Sequence, residues 1–431
     1  MIFSGLHIFS KSFISTFVLG RVGTAELAGA SLSIALVNVT GFSVLSGLAM
    51  GMDGIASQAF GARNFLLMAR TLHQTILILL AAFIPITIMW LNAEPILVFF
   101  GQDLKIATLA ATYTYFTIPT LFLQCFFHPI KVYLRAKKVT YPFIIGSVLA
   151  LVSHVVANGV LFWLDYGLEG VALALVVTDF VYLFTLLVYL YTTSDIAINS
   201  FDFIKCFTEL RPILSLAIAS FLSVCLEWWF YELMLFFSGL LPKDKEAAIG
   251  AMNILLQATS FIYIFPSSIS MGVSARVGYE LGANMPKNAE HASYVALLCA
   301  VLTSFMAVAL TIATRDVWGG VFTEDSTIIS LISAAMLVLG VCELGNCSQT
   351  VISGVLRGCA RPRFVAWVNF GSFYLIGLPM ALFFGFGIQM GFVGLWKGLF
   401  VAQVACLLCM CISLWKIDWE KQATEAQERV S

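Results

Sequence analysis

The chain has 431 residues, 60% of them hydrophobic and 11% charged, with a mean hydropathy of +0.95. No water-soluble interior could hide that much apolar surface, so the composition excludes a soluble globular protein and indicates a polytopic membrane protein in contact with a lipid bilayer. A net charge of −1 provides no field for a polyanion and sets nucleic acid aside as a partner.

Apolar runs long enough to cross a hydrocarbon core of about 30 Å lie at 1–19, 27–50, 71–92, 107–130, 142–164, 170–191, 212–239, 248–272, 293–314, 326–350, 364–386 and 392–416. They predict an all-α fold of twelve transmembrane helices: an N-lobe over 1–191, an inter-lobe linker over 192–211, a C-lobe over 212–416 and a tail over 417–431. The chain opens inside an apolar segment with no charged leader or small-residue cleavage site. A signal peptide is therefore not expected, and the first helix reads as short of its first turn or two.

If both termini are cytosolic, most of the 23 Lys and Arg fall on the cytosolic side, among them Arg63, Arg70, Lys131, Arg135, Lys137, Lys138, Arg357, Arg361 and Arg363. The other side keeps Arg21, Lys105, Lys243, Lys245, Arg315 and Lys397. Cytosolic loops attract the excess, so cytosolic termini are expected, in either the plasma membrane or a vacuolar or endosomal membrane. Cys406 and Cys409 have metal-like spacing but sit inside a predicted helix without a His partner, and none of the cysteines falls in a predicted exoplasmic loop. Neither a zinc site nor a structural disulfide is expected.

The two halves repeat. SQAFGARN (57–64) matches GYELGANM (278–285), YLRAKK (133–138) matches VLRGCA (355–360), and YGLEGVALAL (166–175) matches MGFVGLWKGL (390–399). Three matches in one order, each displaced by about 220 residues, mark an internal repeat. Six helices per half give both halves the same membrane orientation, so the expected relation is a parallel pseudo-two-fold repeat about the membrane normal.

Polar residues inside the apolar runs are the candidate functional groups, because a charge at membrane depth costs about 3 kcal/mol and usually faces a protein interior. In the first half, His7, Lys11 and Ser15 follow four-residue steps on one helix, and Asp179 sits in the sixth span, so Lys11 and Asp179 are expected to pair or to meet a substrate. Asn38 and His154 are further interior polar candidates, and His154 reads more readily as a hydrogen-bonded core histidine than as a ligand. In the second half, Glu227 lies within FLSVCLEWWFYELM (221–234), with Ser223 and Tyr231 one turn to either side. Burial favours the protonated form of a carboxylate, which suits a group that loads and releases a proton. A purely structural carboxylate bonded between helices is the alternative. Glu343, Asn346, Cys347 and Thr350 form a polar stripe on the tenth span, and Gln257 and Tyr263 on the eighth could each bond Glu227. Pro119, Pro266 and Pro379 lie inside spans and remove backbone donors, marking candidate kinks or gates.

FVLGRVGTAELAGASL (17–32), SQAFGA (57–62), CLEWWFYELMLFFSGLLP (225–242), YIFPSSISMGVSARVGYELGAN (263–284), CELGNCSQTVISGVLRGCARP (342–362) and YLIGLPM (374–380) resemble the multidrug and toxic compound extrusion (MATE) transporters. The likeness is to their plant DETOXIFICATION branch in particular, and it extends over essentially the whole chain. The resemblance implies an antiporter that exports small organic solutes (a metabolite, hormone or xenobiotic) from the cytosol by alternating access, coupled in the plant branch to the proton. It also implies one coupling carboxylate in the seventh helix and another in the tenth, near a Tyr of the eighth, which fall by motif on Glu227 and Tyr263. The tenth-helix acid position holds Asn346, which cannot carry a proton. Glu343, three residues earlier on the same face, could supply the charge instead. GMDGIASQAFGA (51–62) also departs from the family, with Asp53-Gly54 where Glu-Pro is usual.

A lipid flippase of the same architecture is the alternative function. An ion channel fits less well, because no ring of like charges or filter repeat is present. No GxxxxGK[ST] motif, and no clustered Asp or His at a membrane face, supports an enzyme or a nucleotide cofactor. The expected partners are a small organic solute, the proton and the bilayer, with the chain as a monomer.

Overall fold

A computed structural model describes residues 2–193, 195, 210–242 and 245–431. With no water in a bilayer core, each spanning segment must satisfy its own backbone, which leaves the α-helix as the only form for these apolar runs. The long helices are α1 Ile2–Val22, α2 Ala25–Gly61, α3 Phe65–Trp90, α4 Leu104–Ala136, α5 Tyr141–Trp163, α6 Gly167–Thr192, α7 Leu210–Ser238, α8 Lys245–Gly282, α9 Pro286–Thr314, α10 Ser326–Gly358, α11 Pro362–Gly387 and α12 Gly391–Trp415. Among the described residues, eleven helices, α2 to α12, are long and apolar enough to cross a membrane. The twelfth, α1, has 21 residues, about 31 Å at 1.5 Å per residue, and carries Lys11 and His7. The fold is thus all-α, with twelve membrane helices. A short helix, Ala93–Phe99, precedes α4, and α13, Trp419–Val430, follows α12.

The turns display the repeat. Outside glycine, left-handed backbone occurs among the described residues at Arg63, Lys138 and Asp165 in the first half and at Asn284, Ala360 and Gln389 in the second, each pair at the offset of its sequence match. At Lys138 and Ala360 this closes a helix by one hydrogen-bond pattern: Val139 N–H bonds Leu134 C=O and Arg361 N–H bonds Leu356 C=O, at 3.0 and 2.9 Å, with Lys138 on Arg135 and Ala360 on Arg357. Asp103 and Asp325, also matched, cap α4 and α10 by accepting from the backbone N–H groups two and three residues on.

Two expectations about helix ends change. The second span continues well beyond residue 50, because Asp53 is held by Arg135 of α4 and residues 53–59 are buried, so nothing forces the helix to end before Gly61. Lys131, assigned by the charge count to a cytosolic end, lies within α4 and is only partly exposed. The helices stay continuous through Pro119, which is exposed, and Pro266, which is buried. Pro379 instead follows a π-helical stretch, Phe370–Gly377, in which Leu378 N–H reaches back five residues to Phe373 C=O. That wider turn makes room for a proline ring that would clash with a regular helical carbonyl.

Contacts divide the chain into two units, Met1–Phe221 and Leu222–Ser431. The first unit keeps the start of α7, since Ile213 and Ala217 belong to the core formed by Leu45, Leu48 and Leu79. In the second unit, α10 presses on α8 at Gly354, where an added Cβ would sit 2.3 Å from Ser270 C=O. Gly358, one turn on, makes the same close approach to Ser274, a small-residue seam of the kind that holds membrane helices together by packing. The tail is helical: α13 buries Ala423, Ala426 and Val430, and Gln427 donates to the carbonyls of Leu281 and Gly282 at the end of α8. The proposed linker 192–211 lies largely outside the described residues.

Candidate functional site

In the second unit, Glu227 of α7 accepts a hydrogen bond from Gln349 Nε2 of α10 at 3.0 Å. It borders a recess of about 20 Å³ shared with Ser223, Trp228, Tyr263, Arg357 and Asn369, room for a water molecule and not for an organic solute. Trp228 meets the Tyr263 ring edge-on with centroids 6.2 Å apart. Arg357 Nη2 donates to Ser270 Oγ at 2.7 Å. Asn369 Nδ2 donates to Ser223 C=O at 2.6 Å, tying α11 to the turn of α7 before Glu227. A groove between α8 and α9 at Arg276 and His291 is larger, and none of the residues lining it is an acid.

Glu343 of α10 is 1% exposed. Its Oε2 accepts from Asn346 Nδ2 at 2.9 Å and from the Cys347 thiol. The residue at the expected acid position therefore serves as a donor to the acid one turn before it. The charge of Glu227 reaches Glu343, and those of both carboxylates reach Tyr231. Tyr231 Oη is in turn bonded by Gln403 Nε2 of α12 at 3.4 Å.

The expected role of Gln257 is corrected. It is exposed on α8, six residues and therefore about 240° around the helix from Tyr263, and the bond to Glu227 comes from Gln349 instead. Gln349, Asn369 and Gln403 carry no expectation from the sequence, and Arg357 is expected there only as a cytosolic cation. Gln349 and Arg357 do extend the polar stripe of α10, which was the available signal.

In the first unit, Lys11 Nζ donates to Asp179 Oδ1 at 2.9 Å, and Gln124 Nε2 of α4 approaches Asp179 Oδ2 at 3.3 Å. His154 is fully buried and bonded, with Nδ1 2.8 Å from Thr178 Oγ1 and Nε2 3.1 Å from Ser15 Oγ. A second buried ion pair joins Arg135 to Asp53. The sequence match places Arg135 opposite Arg357 and Asp53 opposite Ser274, so this carboxylate has no counterpart in the second unit. Asn38 is exposed and opens a π-helical stretch, Asn38–Phe42, whose Thr40 accepts from Trp90 Nε1 at 2.9 Å. Among the described residues no group of three or more His, Cys, Asp or Glu is placed to hold a metal ion.

The family model described as MatE matches residues 1–160 and 219–383. Protein DETOXIFICATION 51 of Arabidopsis thaliana is 45% identical over 428 residues, covering 98% of this chain and 80% of the relative. DETOXIFICATION 48 of the same plant is 43% identical over 99% of this chain and 81% of its own length. The crystal structure of the eukaryotic MATE transporter AtDTX14 superposes with a TM-score of 0.94 at 27% identity, covering 100% of this chain and 97% of that one. An outward-facing multidrug resistance MATE transporter shares the fold at a TM-score of 0.85 and 16% identity, covering 99% of this chain and 94% of its own.

Proposed function

The chain belongs to the MatE family of membrane transporters, which are not enzymes, and from that premise we propose that it is a proton-coupled antiporter exporting small organic solutes from the cytosol. The observation that supports this reading best is Glu227: a carboxylate within a membrane helix, bonded to Gln349 and open to a recess of water size. Glu227 is the main proton site, and Glu343, oriented by Asn346, is the second acid. Tyr231 and Tyr263 complete the polar surroundings, and Pro266, Pro119 and Pro379 lie where helices would bend or widen. Each proton moved down 100 mV supplies about 2.3 kcal/mol, enough for about a 50-fold gradient of a neutral solute.

In this reading the protein is a monomer whose termini both face the cytosol. Cytosolic termini place export toward the cell exterior or the lumen of a vacuole or endosome. The test is a panel of organic solutes presented to proteoliposomes carrying a trapped pH dye. Antiport predicts that a subset of solutes moves protons across the membrane, whereas proton movement by none of them, with intact uptake, contradicts it.

A further inference from the structure

Among the described residues of the first unit, Lys131 stands within a membrane helix without an ion-pair partner. Lys11 is matched by Asp179 and Arg135 by Asp53, whereas among the described residues no carboxylate lies within ion-pair distance of Lys131. An ammonium so placed in a membrane helix is costly unless something answers it. Lys131 does not reach for the near end of α4. Its Nζ lies 4.6 Å from the centroid of Phe127, one turn back toward the middle of the helix, and 5.9 Å from that of Tyr182 on α6. Helical side chains lean toward the helix N-terminus, which here is the direction into the span. Snorkelling to the interface therefore does not describe this lysine.

The same Tyr182 ring meets His7 of α1 edge-on, with centroids 5.5 Å apart. His7 is 4% exposed, and its Nδ1 is buried without a hydrogen-bond partner among the described residues. A cation without an ion-pair partner and a ring nitrogen without a hydrogen-bond partner among the described residues thus both lie against the Tyr182 ring. The other charges that reach Lys131 are those of Arg135, Asp179 and Lys11, two positive and one negative. An anion would answer both groups at once, by pairing with the ammonium and accepting from the imidazole, and the Phe127 and Tyr182 rings offer faces and edges for an aryl group.

We propose that Lys131 and His7, set on the Phe127 and Tyr182 rings of the first unit, bind the anionic group of an aromatic organic anion. Its role as the exported solute rests on the transporter reading above. Its binding does not. The test uses two probes with one skeleton and fixed opposite charges, naphthalene-2-sulfonate and (2-naphthylmethyl)trimethylammonium, whose binding to the purified full chain in nanodiscs is measured at constant pH with no gradient. The sulfonate binds at least about tenfold more tightly than the ammonium. Lys131→Met weakens sulfonate binding about tenfold or more, the loss expected for a charge-assisted contact, and Lys131→Arg restores it. Should Lys131→Met not fold, His7→Phe, which keeps an aromatic ring on Tyr182 but cannot donate, weakens the sulfonate and leaves the ammonium unchanged. Equal binding of the two probes, preference for the ammonium, or sulfonate binding indifferent to both substitutions overturns the proposal. Glu227→Gln retains sulfonate binding, so a failure of proton coupling and a failure of the anion site give different results.

Discussion

Gln349 of α10 donates a 3.0 Å hydrogen bond to Glu227 of α7, and among the described residues it is the side chain bonded to that carboxylate. The bond crosses between two helices, so it both orients the acid and links its state of charge to helix packing. Hydrogen bonds to charged groups contribute about 1.5–3 kcal/mol. Gln349→Leu is expected to fold and to slow proton-driven exchange about tenfold or more in proteoliposomes, while Gln349→Glu, which adds a second negative charge beside Glu227, stops it. Exchange at the wild-type rate in Gln349→Leu would remove Gln349 from the coupling site.

Asn346 Nδ2 donates to Glu343 one turn away at 2.9 Å, so an acid at either position would stand in the same surroundings. Glu343→Gln should reduce coupled transport strongly. The double variant Glu343→Gln with Asn346→Asp restores the acid at the neighbouring position and is expected to recover a substantial part of the rate. If the double variant is no better than the single one, the two positions are not interchangeable carriers of charge.

Much of this arrangement was readable in the sequence. The spans followed from the length of apolar runs, and the repeat from short motifs that turn out to be helix-ending turns, with Arg63 matching Asn284 and Lys138 matching Ala360. Glu227 and Asp179 stood out because a carboxylate in an apolar run is expensive. Gln349 did not, because a glutamine in a membrane helix is far less costly and its partner lies more than a hundred residues away. The π-helical stretches at Asn38–Phe42 and Phe370–Gly377 were equally invisible, since a shift from four- to five-residue hydrogen bonding leaves no mark on composition. Gln257 shares the eighth helix with Tyr263 but not its face, because six residues turn a helix by about 240°.

The Arg135–Asp53 pair is buried on both sides, with side chains 6% and 1% exposed. Removing one partner strands the other, at a cost of about 3–5 kcal/mol. Asp53→Ala should therefore lower the thermal unfolding temperature in detergent markedly, and adding Arg135→Gln should recover most of the loss by removing the stranded charge. A single variant that melts like the wild type would show the pair to be dispensable.

Cys359, just beyond the end of α10, is buried beneath α13, and burial pushes its thiol up to about 12. Arg429 of α13 donates to its carbonyl at 3.4 Å. At pH 7 a maleimide should leave Cys359 unmodified, because the thiolate is the nucleophile. Gln427→Ala with Arg429→Ala, which loosens α13 from the ends of α8 and α10, should make it reactive. Rapid modification in the otherwise unaltered chain contradicts a docked tail helix.

Proton coupling through Glu227 is tested most directly by comparing wild type with Glu227→Gln in proteoliposomes, reading solute-driven proton movement with a trapped pH dye and solute binding in parallel. Loss of proton movement with binding retained is the predicted result. Solute-driven proton movement at the wild-type rate in Glu227→Gln would contradict it.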